Sequence, residues 1–309
     1  MTRVWSAWVE LWDRREDAAA LAATRILVAL VVLYDLVEIG RLGLVNAIYS
    51  PAPLGFGVAY DGWASALELS PQALWWIAVI AAAAIATGTA TRLACVVFVA
   101  VSVQLGEMSP ASDRGIDSMI RIVLCILALS RCHARWSVDA WLRRRIGRPL
   151  ACEVPAWPRY LLLLQLVWIY CSGGLSKTDD AWGPPGFTAL ANVLADPHFA
   201  RFDPGWLETA LPMTRVATAV TISFEISAPI YLALYYFAET RDRPGRIRRT
   251  CNRWRLRHAW LAIGILFHLG IAIGLRLGIF AWGMLAMYPA LLLPSELARL
   301  TGSRRSRPS

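Results

Sequence analysis

The chain has almost no lysine. Its 31 basic residues are thirty arginines and one lysine, Lys177, which lies in the stretch SGGLSKTDDAW (172–182). Arginine stays protonated at every accessible pH, whereas a lysine can lose its proton where burial disfavours the charged form. Lys177 can therefore act as a base where no arginine can. The alternative is an interfacial lysine that extends its amine from a helix end towards water.

Several motifs of common enzymes are missing. The six cysteines contain no C-x-x-C pair, so a thiol redox relay has little support. The sequence also has no H-E-x-x-H metal motif, no G-x-S-x-G nucleophile and no nucleotide-binding loop. We therefore predict no metal site and no conventional hydrolase chemistry.

Polar sequence is scarce as well, since 57% of the residues are hydrophobic against roughly 45–50% in soluble domains. Apolar runs long enough to cross a bilayer recur along most of the chain. We predict an all-α integral membrane protein with a single transmembrane domain, 1–309, and about eight spans. The candidate helices lie at about 18–40, 73–88, 91–108, 117–131, 158–176, 213–237, 259–275 and 278–294. Only the turn-like sequence TGTATR separates the second from the third, which predicts a tight helical hairpin.

The basic residues indicate orientation, because lysine and arginine accumulate in cytoplasmic loops. With the N-terminus inside, 23 of them fall in cytoplasmic segments and six in outer ones. We therefore predict cytoplasmic termini and a multi-pass protein of the inner (plasma) membrane. The net charge of +9 then needs no nucleic-acid partner, because the arginines lie in short loops between apolar segments.

Three segments outside the helices have a composition of their own. Residues 1–17 carry four acids and three arginines among tryptophans, which is typical of an interfacial amphipathic helix. The loop 177–212 is rich in proline and aromatic residues, so we expect it to fold back on the outer membrane surface. Residues 295–309 form a basic cytoplasmic tail.

Ionisable side chains inside apolar helices are the candidate site residues, because such groups usually face a partner or a water-filled cavity. They are Arg25, Asp35, Asp117, Arg121, Glu225 and His268. Asp117 and Arg121 are one helical turn apart, so we expect them to pair, as a structural ion pair or as part of a site. His268 has no polar neighbour in sequence, so it is either a packed histidine or a ligand.

The surroundings of Glu225 and Lys177 give further expectations. Pro229 cannot donate to the carbonyl of Glu225, which predicts a polar notch beside that carboxylate. The Cys-Ser-Gly-Gly stretch before Lys177 lets backbones approach closely and ends the helix, presenting the amine to a cavity. Asp179 and Asp180 oppose the loss of a proton from Lys177, because nearby carboxylates favour its ammonium form.

Three stretches carry a family resemblance: GGLSKTDDAW (173–182), RWSVDAWL (135–142) and FHLGIAIGLRLGIFAWGMLAMYP (267–289). In their order along the chain they resemble the horizontally transferred transmembrane domain (HTTM) family and the related membrane domain of vitamin K-dependent gamma-carboxylase. Arg25 in ATRILVALVVLYD and Glu225 in FEISAP also fall where that family tends to keep such residues. The resemblance covers essentially the whole chain.

The resemblance implies a membrane enzyme, a lyase or oxidoreductase, that uses a lysine base. Lys177 would deprotonate reduced vitamin K, a menaquinol-type quinol, for chemistry with O2 and CO2. The residues implied in catalysis are Lys177, His268 and Glu225, with His268 or Glu225 orienting the quinol oxygen. The residues implied in cofactor binding are Asp117, Arg121, Arg25 and Trp182. We expect Lys177, Asp117, Arg121, Glu225 and His268 to form one outward-facing polar pocket.

The chain also departs from the carboxylase. The carboxylase carries a large lumenal domain after its helices, and the sequence up to residue 309 does not include one, so we expect a peptide substrate site to be missing or supplied by a partner protein. Where the carboxylase has a histidine, this sequence reads DRGIDSMIR, with Asp117. The alternative function is a non-catalytic membrane subunit that binds a lipid, quinone or peptide partner for peptide maturation or export. A solute carrier has less support, because no paired inverted repeat is found.

Overall fold

The computed structural model describes residues 5, 9–10, 12–59 and 62–300, which are mostly α-helical. The chain divides into two compact units, unit 1 (Met1–Leu162 with Ala286–Ser309) and unit 2 (Leu163–Leu285). Unit 1 contains β1 (Arg15–Asp17), α1 (Ala19–Arg41), α2 (Val45–Tyr49), α3 (Trp63–Ala66), α4 (Pro71–Thr87), α5 (Thr91–Met108), α6 (Gly115–Leu129), α7 (Val138–Arg145), β2 (Glu153–Pro155) and α15 (Pro294–Leu300). Unit 2 contains α9 (Ala189–Ala195), α10 (Leu207–Ile226), α11 (Ile230–Glu239), α12 (Arg246–Arg253) and α13 (Leu256–Gly274). Two helices, α8 (Trp157–Leu175) and α14 (Phe280–Ala286), have residues in both units.

Membrane-crossing helices are recognised by length and apolarity. Among the described residues, α1, α5 and α13 are long and apolar enough to cross a bilayer. The segment Pro204–Ile226 and helix α11 together make a fourth candidate, bent by 66°. Helix α4 and the segment Phe280–Leu291 are apolar but shorter. The chain is a helical, multi-pass membrane protein, as the sequence predicted.

Each of the eight predicted segments contains helix, but two have unexpected bounds. The sixth begins at Leu207 rather than at 213 and is interrupted between Ile226 and Ile230. The eighth is α-helical only over Phe280–Ala286 and continues as a 3-10 turn, Tyr288–Leu291. Pro289 lies in that turn, and a proline inside a helix removes a backbone donor and clashes with the preceding turn.

A short β-ribbon is a local exception to the predicted helical fold. Strands β1 and β2 pair antiparallel, with Glu16 opposite Val154. Arg159, at the start of α8, is fully buried and donates to both carboxylate oxygens of Glu16, at 2.6 and 2.5 Å. Strands of three residues are too short to show an alternating pattern in the sequence. Within the predicted interfacial helix, 1–17, the described residues 5, 9–10 and 12–13 are helical, and the last three residues form β1 instead.

Helices α4 and α5 form the tight hairpin expected from the TGTATR turn. The hydroxyl of Ser70 caps α4 by accepting from the backbone N–H of Ala73 at 3.2 Å. Gly88 ends α4 with φ of 72°, a conformation that glycine adopts without strain. The hairpin prediction is confirmed.

The predicted outer loop, 177–212, is ordered and partly helical. It contains α9 and a 3-10 turn, Pro204–Trp206, and α10 already begins at Leu207. Backbone bonds join its middle to the end of α13: Arg201 N–H donates to Gly274 at 3.1 Å, and Arg276 N–H donates to Phe199 at 2.7 Å. The predicted tail, 295–309, begins within α15, and residues 301–309 lie outside the described part. The single-domain prediction stays a prediction.

Candidate functional site

Lys177 lies just beyond the end of α8, within unit 2. Its ammonium group forms an ion pair with Oε2 of Glu225 in the last turn of α10. The Lys177 side chain is 22% exposed and that of Glu225 is 7% exposed, so the pair is largely removed from water. Lys177 Nζ also lies 4.7 Å from the ring centroid of Trp182, within the distance of a cation–π contact. The structure therefore brings together three of the predicted site residues.

Gly174 makes this ion pair possible. A Cβ built on Gly174 would lie 2.9 Å from Cβ of Glu225 and 3.0 Å from the backbone nitrogen of Ile226. Helices α8 and α10 thus approach more closely than a side chain would permit. By contrast, a Cβ on Gly173 would meet no atom within 4 Å.

The chain turns sharply after Glu225. The N–H of Ala228 donates to the carbonyl of Glu225 at 3.2 Å, and Pro229 is followed by α11 in a new direction. The prediction of a polar notch at this carbonyl is wrong, because a tight turn supplies a closer donor than the missing N–H of Pro229. The bend leaves Glu225 at a helix end, facing Lys177.

His268 belongs to an aromatic cluster in unit 2. This cluster consists of Tyr170, Phe224, Tyr231, Trp260 and His268, all buried. His268 Nε2 and the hydroxyl of Tyr170 share a hydrogen bond of 2.6 Å. Phe224 lies 4.5 Å from Trp260 and 5.0 Å from Tyr170, measured between ring centroids. Because Phe224 directly precedes Glu225, the aromatic cluster and the ion pair share one turn of α10.

A groove of about 480 Å³ runs along α10 and α13 beside this cluster. The rings of Phe224 and Trp260 and the hydroxyl-bearing Ser223 and Ser227 line it, together with apolar side chains. One of these, Val216, is 64% exposed. The groove therefore offers two hydroxyl groups and an apolar wall, while the rings of Phe224 and Trp260 are largely covered by the cluster.

The predicted ion pair between Asp117 and Arg121 is not formed. Arg121 donates to both carboxylate oxygens of Asp113, at 2.8 and 2.7 Å. Asp117 instead caps α6, accepting from the backbone N–H and Nε of Arg114 at 2.9 Å each. Arg114 also binds Asp35, at 2.5 Å. These residues form a network of arginines and aspartates within unit 1, where each charged group has a close partner.

Arg25 is fully buried in unit 1, against the backbone of the RWSVDAWL motif. Its Nη1 donates to the carbonyl of Cys132 at 3.1 Å and its Nη2 to that of Trp136 at 2.5 Å. A Cβ on Gly88 would lie 2.8 Å from Arg25 Nη1, so a glycine is required there. The predicted role of Arg25 in cofactor binding stays a prediction.

Asp139 gives the RWSVDAWL motif a contact with α5, a role that the sequence analysis did not predict. Its carboxylate accepts from the backbone N–H groups of Ala90 and Thr91, at 2.9 and 3.1 Å, and so caps α5. Partial burial raises the pKa of Asp139, but these bonds outweigh it and hold the pKa below its usual value. Ser137 caps α7 in turn. A serine at a helix start is a local signal for the cap of α7, but no local signal links Asp139 to α5, 48 positions away along the chain.

Two of the five residues expected to line one pocket are joined by an ion pair, and the pocket itself stays a prediction. Lys177 and Glu225 are in contact, and His268 lies in the aromatic cluster, whereas Asp117 and Arg121 have partners of their own in unit 1. Among the described residues, no group of three or more histidine, cysteine, aspartate or glutamate side chains could hold a metal ion.

Long apolar helices around a shielded lysine–glutamate pair define the class: a helical membrane protein with an ionisable site among its helices. The HTTM domain model matches residues 13–242, and the chain belongs to this family of carboxylase-related membrane domains. The matched range includes Lys177 and Glu225, while His268 lies beyond it. No solved structure matches the chain.

Proposed function

We propose that the protein is a membrane enzyme in which Lys177 takes a proton from a hydroxyl of a reduced quinone of the menaquinol type. The ion pair between Lys177 and Glu225 is the observation that supports this most. It joins the only lysine of the chain to a carboxylate that is shielded from water.

The pair can hold its proton in two ways. In water, an ammonium and a carboxylate both stay charged, but removing two charges from water is costly. An uncharged amine beside a carboxylic acid therefore becomes an alternative state of the pair. In that state Glu225 Oε2 carries the proton and Lys177 Nζ has a free lone pair. After accepting a hydroxyl proton, the ammonium would stabilise the anion that is left behind.

The groove along α10 and α13 has a volume of about 480 Å³, within the roughly 300–1,000 Å³ of small-molecule sites. Neither Lys177 nor Glu225 lines it, so it would hold the isoprenoid tail along its apolar wall, and the quinol ring would lie outside it at Lys177 Nζ. The bound quinol would supply, with O2, a base strong enough for carboxylation by CO2, with a peptide as the acceptor.

Two further predicted residues, Trp182 and His268, would position the reacting groups. Trp182, stacked beside Lys177 Nζ, would orient the amine and limit water. His268, bonded to Tyr170, would position the aromatic cluster or orient the quinol oxygen. The proposal uses only side chains of unit 2. Arg25 and Asp117, with their own partners in unit 1, are left out of it, as is Arg121.

We also propose that the chain crosses the inner (plasma) membrane about eight times, with both termini in the cytoplasm. The excess of basic residues on one side of the predicted spans supports this orientation. A cysteine introduced at Leu190, in α9, should then react with an impermeant thiol reagent added to intact cells. Reaction only after lysis would reverse the orientation.

The enzymatic proposal is tested by quinol oxidation in purified protein. Menaquinol is supplied in air to protein in lipid nanodiscs, and the rate above spontaneous oxidation is recorded by absorbance. Lys177→Arg keeps a positive charge facing Glu225 but cannot supply a neutral base. We expect at least about a 100-fold fall in rate, the lower end of what general-base groups contribute.

Arg201→Lys is the matched control, because it exchanges the same two residue types in the same loop. Arg201 binds the carbonyl of Leu275 and lies outside the proposed site. We expect it to keep the rate within about twofold, in the range of surface substitutions. Equal rates for the wild-type protein and Lys177→Arg would exclude Lys177 as the base.

One observation favours the second function, a non-catalytic subunit that binds a lipid, quinone or peptide partner. Lys177 already has a carboxylate partner and an aromatic neighbour, an arrangement that also suits a structural ion pair. Such a subunit would bind menaquinone equally well in the wild-type and Lys177→Arg proteins and would oxidise menaquinol in neither.

A further inference from the structure

We propose a second binding site, for the phosphate group of an anionic phospholipid, in the loop that connects α11 and α13. A cavity of about 570 Å³ lies beside α12. Its charged lining residues are Arg241, Asp242, Arg243, Arg249 and Arg253. Four positive charges against one negative charge favour an anionic ligand. The site is independent of Lys177 and of quinol chemistry.

The arginines of this cavity are available to a ligand. Among the described residues, Arg241, Arg249 and Arg253 have no carboxylate within ion-pair distance. Arg243 donates only to a neutral group, the hydroxyl of Tyr236, at 3.2 Å. Guanidinium groups bind phosphate oxygens through paired N–H donors. Several such groups therefore converge on the cavity with most of their donors unused.

The start of α12 adds a second kind of anion-binding group. Gly245 lines the cavity and precedes the first residue of α12, and no described side chain caps this helix. The N–H groups of a first helical turn have no partner within the helix, and the helix dipole makes this end positive. Phosphate groups bind readily at such a position.

The surroundings indicate a lipid rather than free phosphate as the source of this group. Ile247 and Trp254 are 71% and 70% exposed on the same loop. Only two residues after α12 begins α13, which is long and apolar enough to cross a membrane. Tryptophan beside the end of a span is typical of the membrane interface. Basic pockets next to membrane helices bind anionic headgroups.

The test measures phosphatidylglycerol binding to the full-length chain in detergent, by native mass spectrometry. The double variant Arg249→Gln/Arg253→Gln removes two of the unpaired guanidinium groups. We expect the affinity for phosphatidylglycerol to fall about 30-fold, from the usual effect of arginines near an anionic lipid surface. Phosphatidylcholine should bind weakly to the wild-type and variant proteins alike.

The matched control is Arg143→Gln/Arg144→Gln, which makes the same charge change at the exposed end of α7. It should retain phosphatidylglycerol affinity within about threefold. An equal loss in the control would show general charge attraction and overturn the proposed site. If the α12 double variant fails to fold, the single variant Arg253→Gln applies, with an expected loss of about fivefold.

Inorganic phosphate distinguishes the two sources of the group. Millimolar phosphate should leave most phosphatidylglycerol bound, because it lacks the acyl chains that contact the exposed apolar residues. Complete displacement would assign the cavity to soluble phosphate and overturn the lipid proposal. Equal affinity for phosphatidylcholine and phosphatidylglycerol would overturn it as well.

Discussion

Arg25 in unit 1 and Lys177 in unit 2 represent two ways of placing a cation among apolar helices. Arg25 is fully buried and bonds to two neutral backbone carbonyls. Lys177 is partly exposed and faces a carboxylate. A guanidinium group held by carbonyls has no acceptor for its proton, whereas an amine beside a carboxylic acid can exchange one. The same charge is therefore held by neutral groups in one unit and faces an ionisable partner in the other, where we propose proton transfer.

Both arrangements depend on a glycine. Gly88 leaves room for the guanidinium group of Arg25, and Gly174 leaves room for Glu225. The consequences of the two contacts differ. Near Gly88 the close approach fixes a loop to α1, while near Gly174 it brings two helices together around groups that can change charge. This difference can be tested by substitutions at each position.

Each of the two cations can be replaced by the other type, and Arg25→Lys should have the largest effect on stability. Arg25→Lys removes the planar fork that reaches both carbonyls, so at least one buried carbonyl loses its charged donor. We expect the free energy of unfolding to fall by about 3 kcal/mol. In Lys177→Arg the ion pair with Glu225 is kept, so the fall should be less than about 1 kcal/mol. Denaturant titration in detergent micelles measures both.

Arg143→Lys, on the exposed end of α7, is the control for the first exchange and should change stability by less than about 0.5 kcal/mol. Similar losses in Arg25→Lys and Lys177→Arg would contradict the comparison, because Lys177 would then have the same structural role as Arg25.

A smaller effect is expected from Gly174→Ala. The added methyl group must displace Glu225 or Ile226, so we expect a loss of about 1–3 kcal/mol. It should also slow any menaquinol oxidation, because it separates Lys177 from Glu225. Thermal unfolding and the oxidation rate are the two measurements.

Gly173→Ala adds the same methyl group one residue earlier, where nothing lies within 4 Å. It should be neutral or slightly stabilising, since alanine favours a helix over glycine. A loss as large as that of Gly174→Ala would mean that helix flexibility, and not close approach, is what this stretch requires.

The sequence predicted the helical segments and singled out Lys177 and Glu225, because apolar length and isolated charges are local features. It did not predict that these two residues bond, since they are 48 positions apart and only tertiary packing brings them together. The prediction that Asp117 pairs with Arg121 was wrong for the opposite reason. Helical spacing supplied a partner, but nearby Arg114 offered Asp117 a better one at the start of the helix.

The RWSVDAWL motif shows another limit of sequence reasoning. It carried the family resemblance, yet in the structure the backbone carbonyl of its Trp136 accepts a hydrogen bond from Arg25, and its Asp139 caps a different helix. The residues of this motif therefore connect its loop to two other helices, α1 and α5. The β-ribbon was missed because its strands are too short to have a pattern.

The pairing of β1 with β2, together with the bond between Glu16 and Arg159, has a consequence for biosynthesis. The two bonded side chains are separated by 143 positions. At roughly 5–20 residues per second, the ribosome needs about 7 to 30 seconds to make the intervening chain. The ion pair between Glu16 and Arg159 cannot form before that time has passed. The contacts of β1 are therefore made only after several later helices have been synthesised.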